Sequence, residues 1–215
     1  MQTLHIAFDD TDSRAGRCTT HLAYKVMERL KGMGAVLVDY PLLARLNPNI
    51  PWKTRGNGAV CLRVKVLDPA RAIDYVRQAV EEGSAIGCGA NPGVAFLVGE
   101  DVPEELQEFG RRALCDVLSR QMAEKVAKAA GVQYHTFGNG QGLVGSIAAM
   151  GLLMNDSDYT FELIAYRKPE NCGSPRVVDE EKVVRFSTDT YPNTFNNYDQ
   201  NHRRVLLAPH GPDPV

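Results

Sequence analysis

No stretch of this 215-residue sequence supplies the ~18 consecutive apolar residues that a membrane-spanning helix needs. The longest candidate, residues 143–154, is interrupted by glycine and serine and reads as a buried helix. No basic leader precedes the strand-like opening MQTLHIAFDD, so no secretory signal is expected, and the protein is expected to be cytoplasmic with no membrane partner. A surplus of positive charge is also missing. Lys and Arg number 24 against 26 Asp and Glu, a net charge of -2, which removes global basicity but leaves room for a local basic patch. The five cysteines are odd in number and scattered, which argues for reduced thiols. CxxC and HxxxH spacings are both absent, so no zinc is expected within the chain. Nor is there a GxxxxGK[ST] phosphate loop. What is present is a 44% hydrophobic content, enough for a sizeable core.

Helix-like and strand-like stretches alternate along the chain without repeats. Residues 3–8 read as a buried strand, followed by a polar loop at 9–18. Leu22, Ala23, Val26, Met27 and Leu30 then recur at helical spacing over 19–31. A strand is expected at 35–40 and a half-buried one at 60–66, where Val60, Leu62, Val64 and Val66 alternate with Cys61, Arg63 and Lys65. Asp68-Pro69 is a helix start for residues 70–81. Further strands are expected at 94–98, 134–137 and 159–166, and one opens at 205–208. Residues 103–130 read as a long helical stretch that Gly110 interrupts, and 167–182 as a charged loop. The class is mixed α and β.

Three segments carry chemistry. FDDTDS closes the first strand, placing Asp9, Asp10 and Asp12 within four positions. Such hard oxygen ligands suit Mg²⁺, which takes one or two carboxylates together with phosphate and water. The plainer reading is an Asp-rich turn bonded to its own backbone. The next residues favour a phosphate site: Arg14, Arg17, then Cys18, Thr19 and Thr20 entering a helix whose free amides attract anions. Simple capping by Thr19 or Thr20 is the competing explanation. The second segment is a gap in acidic residues from 40 to 67, which holds Arg45, Asn47, Asn49, Trp52, Lys53, Arg55, Asn57, Arg63 and Lys65. Cations, amides and one flat aromatic suit phosphate contacts and base stacking. Trp52 taken alone reads as a core residue. Third is GNGQGLVGSIAAMG, in which Gly140 and Gly142 allow close backbone approach to a phosphate or ribose, whereas tight helix packing explains Gly145, Ala148 and Ala149.

Taken together, DDTDS…CTT, LNPNIPWKTRGNG, GLVGSIAAMG, FELIAYR and YPNTFNNYD resemble archaeal tRNA 2-agmatinylcytidine synthetase, over residues 6–199. The resemblance implies an α+β fold: a mixed β-sheet with packed helices, an unusual kinase-like domain with ferredoxin-like βαβ elements. Residues 1–195 would form the kinase-like catalytic region, with 58–100 as a ferredoxin-like subdomain, and 196–215 would begin a further domain. The family's OB-fold and zinc ribbon are expected to be absent. The implied activity phosphorylates the C2 oxygen of the wobble cytidine in the CAU-anticodon isoleucine tRNA so that agmatine can replace it, and this chain would be the phosphoryl-transfer part. ATP and Mg²⁺ are the implied cofactors, and agmatine and that tRNA the partners. Asp9, Asp10 and Asp12 would hold metal and act in catalysis with Thr19, which matches the family's phosphorylatable threonine. Arg17, Thr20, Asn47, Lys53, Arg55, Asn57, Gly140 and Gly142 would contact ATP or tRNA. Gln141 departs from the basic residue expected in the glycine turn. The alternative is a non-catalytic nucleic-acid-binding module or short paralogue. The oligomeric state is left open.

Overall fold

The computed structural model describes residues 1–14, 16–54, 56–152, 159–162, 164, 179–193, 198–199 and 204–205. The chain divides into two compact units, Met1–Leu153 and Met154–Val215.

The first unit is organised by one antiparallel sheet. Its strands are β1 (Gln2–Asp9), β2 (Val36–Leu37), β3 (Leu42–Arg45), β4 (Gly58–Val66), β5 (Gly93–Val98) and β6 (Gln133–Thr136), in the order β2-β4-β1-β5-β6, with β3 also paired to β4. Helix α1 (Thr19–Gly32) links β1 to β2, and α2 (Pro69–Gly83) links β4 to β5. β1 and β2 are both antiparallel to the β4 that separates them, so they run parallel to each other. The same holds for β4 and β5 on either side of β1. Two interleaved split βαβ units result, which is the ferredoxin-like topology. It runs from Gln2 to Val98, wider than the expected 58–100, and neighbouring strands are antiparallel throughout rather than mixed.

The two faces of this sheet are chemically different because side chains alternate along each strand. One face carries Leu4, Ile6, Phe8, Leu62, Val64 and Phe96, packed under Leu22, Val26 and Leu30 of α1 and Val76 and Val80 of α2. Helix α2 begins where expected, with the Asp68 side chain accepting from the Arg71 amide at 3.0 Å and Pro69 following it. The other face carries the smaller Ala7, Ala59, Cys61 and Ala95, covered by α3 (Glu104–Ala113), α4 (Arg120–Ala129) and α5 (Gly142–Gly151). The break in the long helical stretch falls after Ala113. Ser119 caps α4 by accepting from the Met122 amide, while Gly110 lies inside α3 and packs against Ala148 and Gly151 of α5. Arg63 is buried on this face and donates to the Leu152 carbonyl at 2.6 Å, placing a cation at the negative end of α5.

Other expectations also need correction. The proline-rich stretch after Tyr40 contains strand β3, while the strand expected at 35–40 shrinks to two residues. Trp52, read as a core residue, is 58% exposed.

In the second unit, α6 (Glu180–Asp189) begins with Asp179 accepting from the Lys182 amide at 3.1 Å. β7 (Tyr198–Asp199) pairs antiparallel with β8 (Arg204–Val205). The Phe161 ring meets Tyr159 and Phe186 edge to face, and its amide donates to the Asn193 carbonyl. Residues 179–182 of the expected charged loop instead cap and open this helix, while 167–178 lie outside the described residues. Among the described residues of 159–166 there is no strand, and 206–208 lie outside the described residues.

Candidate functional site

The site forms where β1 ends. Asp9 is the last residue of the strand, opposite Gly93 of β5. The next residue, Asp10, takes the left-handed conformation at φ 56, unusual for a residue with a side chain. That turn lets the Asp10 amide donate to Asp9 Oδ1 at 2.7 Å, while Asp10 Oδ2 accepts from the Asn91 amide at 3.0 Å. Thr11 is buried, and its hydroxyl donates to the Thr19 hydroxyl at 3.0 Å. Ser13 and Gly16 then close a small loop through reciprocal backbone bonds, and Arg17, at φ 68, is also left-handed, the only such residue with a side chain besides Asp10 among the described residues.

Two helix N-termini converge on this loop. Helix α1 is entered through Cys18, whose side chain makes no capping bond, and its first turn holds no acidic residue. Thr19 and Thr20 are thus the first helical residues and not its cap. Thr19 is buried against Thr11, and Thr20 Oγ1 lies 3.2 Å from Cys18 Sγ. Helix α5 also starts without a side-chain cap or a first-turn acid. It comes so close to β1 that a methyl group at Gly145 would overlap the Asp9 carboxylate, and one at Gly142 would meet the Asp9 carbonyl, the Gly93 amide and Asp10 Cβ. Glycine is needed at both positions for this approach.

The electrostatics come from the crowding. Burial pushes the Asp9 carboxyl up to about 8, opposed by the bond from the Asp10 amide and reinforced by the charges of Asp10 and Asp12. Burial likewise raises Asp10, and the Asp12 charge adds to it. The acidic loop thus carries two carboxyls raised by burial and by neighbouring acidic charge, beside two partially positive helix ends.

The remaining expected residues fall into two groups. Gly142 donates its amide to the Asn91 carbonyl at 3.0 Å and forms the wall beside Asp10, while Gly140 is buried against Thr136 and Arg120. Asn47 is buried instead in bracing: its amide group donates to the carbonyls of Cys115 and Asp116, and its carbonyl accepts from Asn57 Nδ2. Lys53 Nζ donates to the Ile50 carbonyl at 3.1 Å. The bonds of Asn47, Asn57 and Lys53 thus organise the 46–57 loop, which presents Trp52 outward. Arg55 lies outside the described residues.

The segment SAIGCGANPG, residues 84–93, is a part of the site that sequence reasoning missed. Gly87 and Gly89 have φ of 84 and 107, and Asn91 reaches Asp10. The signal was available: paired glycines and Asn-Pro-Gly immediately before a strand. Because β5 runs antiparallel to β1, the start of β5 lies beside the end of β1.

Fold and site define an α+β protein built around a ferredoxin-like sheet, with an acidic loop set between two helix N-termini. Family models agree with this and are more specific: residues 5–66 match the TiaS TCKD domain and residues 140–215 the TiaS FLD domain. The chain is 44% identical to the isoleucine-tRNA 2-agmatinylcytidine synthetase TiaS of Cenarchaeum symbiosum, over 99% of this chain and 47% of that protein. With the Pyrococcus horikoshii enzyme the identity is 43%, over 99% of this chain and 50% of the relative. The crystal structure of a TiaS complex with isoleucine tRNA and ATP superposes with a TM-score of 0.81 at 38% identity, covering 99% of this chain and 50% of the other. A TiaS complex with isoleucine tRNA, AMPCPP and agmatine gives 0.80 at 36% identity, covering 100% and 52%. The chain belongs to the TiaS family, and it spans about half the length of the curated relatives it matches. No helix among the described residues is long and apolar enough to cross a membrane.

Proposed function

We propose that this chain is the phosphoryl-transfer part of agmatidine synthesis, using ATP to phosphorylate the C2 oxygen of the wobble cytidine in the CAU-anticodon isoleucine tRNA. The observation that carries the reading is the acidic loop at Asp9–Asp12 lying between the uncapped N-termini of α1 and α5. Relatives solved with isoleucine tRNA, ATP or its analogue, and agmatine support the choice of substrates.

An amide-like carbonyl oxygen is a poor leaving group. Once the terminal phosphoryl group of ATP has been transferred to it, the amine of agmatine attacks C2, the C2–O bond breaks and phosphate departs with that oxygen. The protein's task in the first step is positioning and charge neutralisation. The amides at the starts of α1 and α5 would receive phosphate oxygens, and the Thr19 and Thr20 hydroxyls stand at the first of these helix ends. Thr19, matching the family's phosphorylatable threonine, would be the residue within reach of the transferred group, and Arg17 and Gly140 would flank the nucleotide.

The residues suit Mg²⁺ in one specific way. The described acids form no ready three-acid metal cage. Asp9 Oδ1 accepts from the Asp10 amide and Asp10 Oδ2 from the Asn91 amide, so these two carboxylates would be the ones to meet an ion that takes one or two carboxylates and completes its shell with phosphate and water. When bound, Mg²⁺ would neutralise charge on the phosphates.

The test is phosphate release from ATP by the 215-residue chain supplied with the tRNA and agmatine. Release should require Mg²⁺ and be abolished by Asp10→Asn with little change in thermal midpoint, and a fully active variant would contradict the reading. A second reading, nucleic-acid binding without catalysis, draws on the exposed Trp52 beside Lys53. It predicts tRNA binding with no phosphate release under any condition.

A further inference from the structure

One residue outside every expected motif uses all of its hydrogen-bonding groups to join the two halves of the site. The backbone amide of Asn91 donates to Asp10 Oδ2 at 3.0 Å. Its side-chain amide group donates to the Gly89 carbonyl at 2.9 Å. Its side-chain carbonyl accepts from the Asn139 amide at 3.0 Å, and its backbone carbonyl accepts from the Gly142 amide at 3.0 Å. Two of these bonds therefore hold the acidic loop and its own loop, and two hold the glycine turn and the start of α5. The fit is close, because a methyl group added at Gly138 would overlap the Asn91 side chain. Pro92 is next in the chain, with its carbonyl accepting from the Phe137 amide at 2.9 Å.

We infer that Asn91 is a positioning residue whose side chain, by bridging the Gly89 carbonyl and the Asn139 amide, sets the glycine turn and the start of α5 against the loop whose backbone amide meets Asp10. No side chain other than asparagine supplies both a donor to Gly89 and an acceptor to Asn139 at this length. Aspartate keeps the acceptor and loses the donor, and alanine loses both. The kinetic consequence rests on the phosphoryl-transfer reading, but the structural consequence does not.

The experiment compares the 215-residue chain with Asn91→Ala and Asn91→Asp by amide hydrogen exchange and by phosphate release from Mg²⁺-ATP in the presence of tRNA and agmatine. Asn91→Ala should speed exchange at 138–143 by at least about tenfold while leaving β4 unchanged. Asn91→Asp should recover protection at 138–143. Phosphate release should fall at least about tenfold in the alanine variant, mainly in kcat, as expected when reacting groups are displaced. Wild-type protein that releases no phosphate contradicts the functional reading alone, and the exchange pattern then decides the role of Asn91. Unchanged exchange at 138–143, or equal loss of protection throughout the sheet in both variants, overturns the inference.

Discussion

The two faces of the central sheet come from the same strands and do different work. On one, Leu4, Ile6, Phe8, Leu62, Val64 and Phe96 fill the space beneath α1 and α2 with large side chains. On the other, Ala7, Ala59, Cys61 and Ala95 leave little between the strands and α5, which presents Gly142 and Gly145 to the end of β1. Bulk on the first face supplies stability through buried apolar area. Smallness on the second supplies proximity, bringing a helix N-terminus to a buried carboxylate. Packing and function are thereby divided between alternate residues of each strand.

The largest effect of breaking this division is expected on the bulky face. Phe96 is 1% exposed, and Phe96→Ala should cost about 3–5 kcal/mol in chemical denaturation, a range typical of buried phenylalanines. A cost below about 1 kcal/mol would show that this face does not carry the stability.

A smaller effect, and one of opposite sign, is expected at Asp9 in the absence of divalent cations. Its carboxyl is pushed up to about 8 in the folded chain, so the folded state holds a proton that the unfolded chain releases near the ordinary carboxylate value. The resulting stability is fully present below about pH 4 and is lost as pH rises through 8. Between about pH 6 and about pH 9 the wild-type thermal midpoint should fall by several degrees more than that of Asp9→Asn. Parallel curves for the two proteins would remove Asp9 from the account.

The sequence made much of the bulky face readable, and it placed the acidic loop at the end of β1. Alternation marked β4, Asp68-Pro69 marked the start of α2, and the carboxylates at the end of β1 stood out once Arg14, Arg17 and the helix start after them were read alongside. The 84–92 loop stayed hidden because its glycines signal only a turn. Its contact with Asp10 depends on β5 lying beside β1, which is a matter of sheet order and not of neighbouring residues. Gly145 was read as helix packing, and it is packing, but against Asp9. Asn47 has the composition of a ligand contact, yet its bonds to Cys115 and Asp116 show it tying a loop to the end of α3. Helix α6 was obscured because a charged first turn resembles a solvated loop until Asp179 is seen to cap it.

The central claim is that the small-residue face exists to bring α5 against Asp9, and Gly145→Ala tests it most directly. The added methyl group falls on the Asp9 carboxylate, so the helix must move away from the acidic loop. The measurement is phosphate release from Mg²⁺-ATP with tRNA and agmatine, alongside thermal midpoints, with Phe96→Leu on the opposite face as the comparison. The account predicts that Gly145→Ala loses at least about tenfold in release, whereas Phe96→Leu loses stability and keeps its rate. Full release by Gly145→Ala would contradict it.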